Sequence, residues 1–269
     1  MIGATLRKVD LFAKWPADAI ARMAAAAQLW RFAKGEFVYR AGTPAIGVVI
    51  LVDGSVFEGR SWSSGKHMAT TISRPGWPTG VAAVWRGGEY LYDGTARADL
   101  LAVLIPRTDF LVAARGDPKR LEDLLTFTCT QIGQDVVALH ARANGSTRCL
   151  MAMYLAYLSR PSIHVSMEEP DAVDPTAFDV TQDELAAMLH LTRQTTNQLM
   201  KTMEREGVLK RDGNRLRIVD FLKLLAIMEE DEPIHPAWRE QIVAWDVKLR
   251  SAAPKTPDEA RIAAQPIAR

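Results

Sequence analysis

The sequence predicts an α+β protein: an N-terminal β-roll, a long dimerisation helix and a C-terminal winged helix-turn-helix. Three observations predict it. Between Trp30 and Arg115, short apolar runs alternate with turn residues at even spacing, the pattern of a closed or double-sheet β architecture. From Asp117 to Ala143, apolar residues recur at helical steps. From Val180 to Val219, two helical patterns, a short turn and a hairpin signal follow one another.

Taken in order, Leu11–Leu29 reads as one or two alanine-rich helices capping the next domain. Strands follow at Glu36–Arg40, Ile46–Val52, Val56–Arg60, Met68–Ile72 and Leu100–Ile105. Turn signals separate them at Gly42-Thr43-Pro44, Asp53-Gly54, Ser64-Gly65 and Pro75-Gly76. Leu121, Leu125, Thr128, Ile132, Val136 and Leu139 then form the apolar stripe of the connector, in which Leu125, Ile132 and Leu139 keep a heptad period. Asn144-Gly145-Ser146 breaks that helix, with Asn144 as the hinge. Arg148–Ser159 is an apolar helix, and Pro161–Phe178 a polar loop or short β-flap. Asp220–Glu230 and Pro233–Arg250 read as further helices, the second carrying Trp238 and Trp245. Ser251–Arg269 is rich in Ala, Pro and charge, the composition of a disordered tail. The implied divisions are 1–116, 117–143, 144–225 and 226–269.

The chain has 269 residues, 48% hydrophobic and 24% charged, with net charge +1. A polyanion could be held only through a local basic patch, not through global charge. Met1–Asp10 lacks the apolar stretch of a signal peptide, and no run of about eighteen apolar residues occurs. A cytoplasmic protein without a membrane partner is expected. Cys129 and Cys149 fall on helical segments and form no motif. The five histidines show no metal-ligand spacing, and no phosphate loop or nucleophile elbow appears, so neither metal, cofactor nor enzyme activity is expected.

The chemistry concentrates in the helix-turn-helix. Thr181 and Glu184 make a capping box ahead of the apolar face Leu185, Met188 and Leu189. After His190-Leu191, Thr192 caps a second helix, Arg193–Glu206, which Gly207 terminates. Its buried face is Thr196, Leu199, Met200 and Met203. Its other face bears Arg193, Gln194, Asn197, Gln198 and Lys201, with no acid between Arg193 and Met203. Arg193 can donate a bidentate pair to guanine, and Gln194 or Gln198 can pair with adenine. Thr192, Thr195 and Lys201 suit phosphates, as do Arg211 and Arg215 on the wing. Double-stranded DNA is the implied partner.

These motifs resemble the Crp/Fnr regulators, the cyclic-AMP receptor protein superfamily. Thr181 and Glu184 match the family's Thr-x-x-Glu opening, and Thr192-Arg193-Gln194-Thr195-Thr196 its recognition-helix start. His190 stands at a turn position commonly Gly in the family, and Gln194 where many members have a base-reading Glu. The resemblance reaches the roll through Lys34-Gly35-Glu36, Gly42 and Leu51-Val52-Asp53-Gly54-Ser55-Val56. It implies a cyclic-nucleotide-binding-like roll, a homodimer on an inverted-repeat operator, and RNA polymerase as a further partner.

The resemblance also implies an effector pocket at Gly80, Val81, Tyr92, Gly94, Thr95 and Arg97. There the family's cassette is altered. Val81 stands where nucleotide-binding members carry Glu, and no Arg occupies the phosphate position near Tyr92-Asp93-Gly94. A buried phosphate without a cation is costly, so a regulator unresponsive to cyclic AMP is expected. An unknown small-molecule effector remains open, because Trp77, Trp85, Tyr90 and Tyr92 form either an aromatic pocket or plain core. Two other readings stand beside this one: a cyclic-nucleotide-responsive regulator with an altered pocket, and a small-molecule-binding module whose winged helix contacts proteins.

Overall fold

The computed structural model describes residues 2–61, 67–159, 177–231, 233–234, 236, 239–240, 242–244 and 246–247. The described residues divide into two compact units: 2–136 with 183–193, and 137–159 with 177–182 and those from 194 onward.

The first unit opens with α1 (Ile2–Arg7), a 3₁₀ turn at Asp10–Phe12 and α2 (Ala17–Ala26). The lead-in helix ends earlier than the sequence implies. Ala27 is extended, and Gln28 and Leu29 already belong to β1 (Gln28–Phe32). The long-range partner decides this: β1 pairs along its whole length with β8.

Two four-stranded antiparallel sheets follow. β2 (Phe37–Tyr39), β4 (Val56–Ser61), β5 (His67–Ser73) and β7 (Asp93–Ala96) make one, in the order β2-β7-β4-β5. β1, β3 (Gly47–Asp53), β6 (Pro78–Thr79) and β8 (Leu100–Pro106) make the other, in the order β1-β8-β3-β6. The sequence leaves β1, β6 and β7 unmarked, and also two helices, α3 (Val81–Arg86) and α4 (Arg107–Arg115).

Register separates the two faces of β3 and β8. Val49 pairs with Leu104, and Leu51 with Ala102, so these four share one face. Val48, Ile50, Val103 and Ile105 share the other, and all four are fully or almost fully buried. That second face accounts for a continuous apolar run rather than an alternating one: both faces of the sheet are covered, and α2 and α4 pack on β3 and β8. Phe12, Trp15 and Phe110 close this layer, with ring centroids 5.1 to 6.4 Å apart.

α5 runs from Pro118 to Asn144. Its Leu124 is buried and Phe127 packs on the core, with the Phe127 ring 5.5 Å from Trp77. Leu125, Ile132 and Leu139 lie on another stripe and are 64, 56 and 62% exposed. The Val136 and Asn144 side chains lie outside the described set.

In the second unit, Ser146 caps α6 (Thr147–Leu158), its side chain accepting from the Cys149 backbone N–H at 3.1 Å. α6 packs against α9 (Phe221–Met228), and the Cys149 thiol donates to the Met228 carbonyl at 3.2 Å. Ala177–Asp179 forms β9, the third strand of the wing sheet β10-β11-β9. The sequence marks its first two residues only as the end of a polar loop or short β-flap, and the rest of that stretch, 161–176, lies outside the described residues. Trp238, Trp245 and the tail from 248 do so too. Among the described residues no helix is long and apolar enough to cross a membrane.

Candidate nucleic-acid interface and effector pocket

α7 (Gln182–Leu189) and α8 (Arg193–Arg205) are joined by a short turn. Leu185, Met188 and Leu189 are buried, the apolar face that the periodicity implies. His190 takes φ 55°, the left-handed region, and the Leu191 N–H bonds back to the Ala186 carbonyl at 3.0 Å. A β-carbon costs free energy in that region, which is why glycine suits such a turn and why His190 marks a departure.

On α8, Thr196, Met200 and Met203 are buried, and Leu199 is only half-buried. Thr192, Arg193, Gln194, Gln198 and Lys201 are exposed, and Thr195 and Thr181 are half-buried. Arg193 lies 3.6 Å from Asp183, with both side chains about 70% exposed. A pair that open to water is weak and leaves Arg193 available to a stronger partner.

Two residues expected to face DNA are used inside the unit instead. Arg211 donates to Asn197 Oδ1 at 3.2 Å and pairs with Glu204 at 3.1 Å, with its side chain 20% exposed. Arg211 and Asn197 thereby tie β10 (Leu209–Asp212) to α8. The wing's outward cations are Lys210, Arg215 and Arg217. Asp212 pairs with Arg215 across Gly213-Asn214, and Gly213 has φ 58°, the glycine-first pattern of a two-residue hairpin turn. Leu209, Leu216 and Ile218 of β10 and β11 (Arg215–Ile218) are buried.

The pocket residues do not form one group. Gly80 (φ 78°) precedes α3, and a Cβ on it would sit 2.8 Å from the Tyr90 ring. Val81 is buried in the first turn of α3, and Tyr92 is half-buried. Gly94 lies beneath the Tyr39 ring, where a Cβ would meet ring carbons at 2.7 and 2.8 Å. Thr95 pairs with Phe57 and Phe37, on the sheet face opposite Gly94. Within the first unit, Arg97 donates to both Glu184 carboxyl oxygens, at 2.7 and 2.6 Å, and to Ser55 Oγ at 3.1 Å. Its guanidinium is therefore already engaged by an acid.

What the roll holds instead is a cluster built on Tyr39. Val56 and Glu58 share a face with Ser73, Thr71, Ala96 and Gly94 by register. The Tyr39 hydroxyl donates to Glu58 Oε1 at 2.7 Å, and the Ser73 hydroxyl to the same oxygen at 2.6 Å. Burial, then the Glu58 carboxyl beside it, holds the Tyr39 hydroxyl well above the usual tyrosine range, so it stays a neutral donor. The Tyr39 ring stacks on Tyr90 at 4.9 Å, and the Tyr90 hydroxyl donates to the Gly47 carbonyl at 2.9 Å. The four aromatics grouped by sequence do not converge. Trp77 faces Phe127, Trp85 lies under Arg115, and Tyr90 joins this cluster. The sequence does not mark Tyr39 or Glu58 as pocket residues. The one available signal was an acid on the inward face of an otherwise apolar strand start, Val56-Phe57-Glu58.

A double-sheet roll, a long helix and a winged helix-turn-helix define the class: an N-terminal β-roll followed by a C-terminal winged helix-turn-helix. The sequence matches the cyclic nucleotide-binding domain family over residues 29–117 and the Crp-like helix-turn-helix domain family over residues 151–227. The chain belongs to the Crp/Fnr superfamily of transcriptional regulators. It is 29% identical over 143 residues to the transcriptional activator protein FnrL of Cereibacter sphaeroides, a match covering 52% of this chain and 57% of that protein. It is 23% identical over 219 residues to the CRP-like cAMP-activated global transcriptional regulator of Mycobacterium tuberculosis, covering 81% of this chain and 96% of that one. Its fold is similar to that of FixK2 from Bradyrhizobium japonicum, with TM-score 0.62, 18% identity and coverage of 75% and 96%. It is also similar to CLP from Xanthomonas campestris, with TM-score 0.56, 18% identity and coverage of 76% and 100%.

Proposed function

We propose that this protein is a sequence-specific DNA-binding transcriptional regulator that acts as a homodimer on an inverted repeat and does not respond to cyclic AMP. The observation that carries the DNA reading is the outer face of α8. Arg193, Gln194, Gln198 and Lys201 are exposed together, while Thr196, Met200 and Met203 anchor the helix. In the major groove, Arg193 reads a guanine and Gln194 or Gln198 an adenine, with Lys201 and Arg215 on phosphates.

The exposed Leu125, Ile132 and Leu139 stripe supports the homodimer, because large side chains at heptad spacing are buried by a second copy. A two-fold dimer sets its half-sites about 34–36 Å apart. RNA polymerase is the further partner of this reading.

The relative from Mycobacterium tuberculosis is named for activation by cyclic AMP. In this chain the Tyr39–Tyr90 stack and the Glu58 carboxyl occupy the roll, Val81 is apolar, and Arg97 is bound to Glu184. None of these offsets the desolvation of a phosphate.

The test is selection of random duplex DNA by the purified chain, with and without cyclic AMP, repeated with Arg193→Ala. An inverted repeat enriched without nucleotide is expected. Arg193→Ala should lose about 1–3 kcal/mol at one guanine of each half-site. Enrichment that needs cyclic AMP would refute the effector reading alone. No enriched repeat would refute the regulator.

A further inference from the structure

A cavity of about 270 Å³ opens into the roll. Its floor is Val49 and Leu104 from one sheet and Tyr39 from the other, with Tyr90 beside them, all nearly buried. Its lip is Pro44 and Ile46, and Ile46 is 54% exposed, a large aliphatic side chain left in water at the entrance.

The lining carries no charged side chain. Its hydroxyls are spoken for: Tyr39 donates to Glu58, Tyr90 to the Gly47 carbonyl, and Thr43 to the Arg40 carbonyl at 2.7 Å. An ion entering here would lose its hydration with nothing in exchange. Size narrows the ligand further. An apolar cavity of about 150 Å³ accepts benzene, whereas pockets for drug-sized ligands run from about 300 to 1,000 Å³.

We infer that this cavity is a binding site for a small, neutral, planar apolar molecule of one or two rings. The ligand slides past Ile46 and packs against the Tyr39–Tyr90 pair. As an effector site the cavity rests on the reading of the roll as a sensor; as a binding site it does not.

Indole is the probe, titrated into the full-length protein while the methyl resonances of Ile46, Val49 and Leu104 are followed by NMR. Saturable shifts at these methyls are expected, with little effect from indole-3-carboxylate, whose carboxylate would lose its hydration in the cavity. Ile46→Trp closes the lip from the solvent side without touching the floor and should weaken indole binding by about tenfold or more. Val49→Phe, which fills the floor, should do the same. Three outcomes overturn the inference: no saturation by indole, equal binding of the carboxylate, or undiminished binding in Ile46→Trp. Operator binding measured on the same samples keeps the two readings apart. Indole binding without any operator leaves the site standing and removes the regulator, and operator binding without indole does the reverse.

Discussion

Gly94 shows how one residue fixes the interior of the roll. The Tyr39 ring can cross the sheet to reach Glu58 only because position 94 has no Cβ. Gly94→Ala therefore sets a methyl against a buried ring that is held at both ends, by its hydrogen bond and by its stack on Tyr90. Overpacking of this kind costs about 1–3 kcal/mol. Urea melts should place Gly94→Ala below the parent by that amount. Combining it with Tyr39→Phe, which frees the ring from Glu58, should cost less than the sum of the two, because the sites share one contact. Additive losses would mean that the hydrogen bond to Glu58 does not pin the ring over position 94. The buried thiol of Cys149 is a separate case. Burial, then Asp231 and Glu230, pushes it up to about 11, so it is a neutral core group rather than a nucleophile.

At the scale of elements, legibility followed locality. α7 and α8 could be read because their signals are short-range: a capping pattern, apolar residues at helical spacing, and Gly207 at φ 70° after the last turn. The wing could be read for the same reason, from Asp212-Gly213-Asn214-Arg215. β1 could not, and β9 only as the flap alternative for the end of a polar loop. Each is short, polar at one end, and made a strand by a distant partner, β8 or β11. The Tyr39–Glu58 bond joins residues nineteen apart across three strands and leaves no local pattern. Arg211 was legible as a wing cation but not as a brace on Glu204, since charge pattern does not say which way a side chain turns. The exposed stripe of α5 carries its own prediction. Ile132→Glu places a charge where a second copy would bury an aliphatic, and should turn a dimer into a monomer in sedimentation equilibrium. The monomer should keep its thermal transition within a few degrees, since Ile132 is 56% exposed within the chain. A dimer that survives Ile132→Glu would move the interface elsewhere.

For the whole molecule, the decisive quantity is charge. A net charge of +1 over 269 residues gives no long-range pull toward a polyanion, so binding must come from few, well-placed cations. Counterion release makes that number measurable, since each neutralised phosphate contributes about −0.9 to the slope of log K against log salt. Arg215 is exposed at the wing tip, whereas Arg211 is tied to Glu204 and Asn197. In a dimer, Arg215→Ala removes two phosphate contacts and should flatten the slope by about 1.8, with base preference unchanged. Arg193→Ala should do the opposite and relax one guanine position. Arg211→Ala removes the brace, so it should lower stability more than it changes the slope. Anisotropy titrations of one operator duplex at several salt concentrations separate these cases. Equal slopes for Arg215→Ala and the parent would take the wing off the DNA and leave α8 as its sole reader.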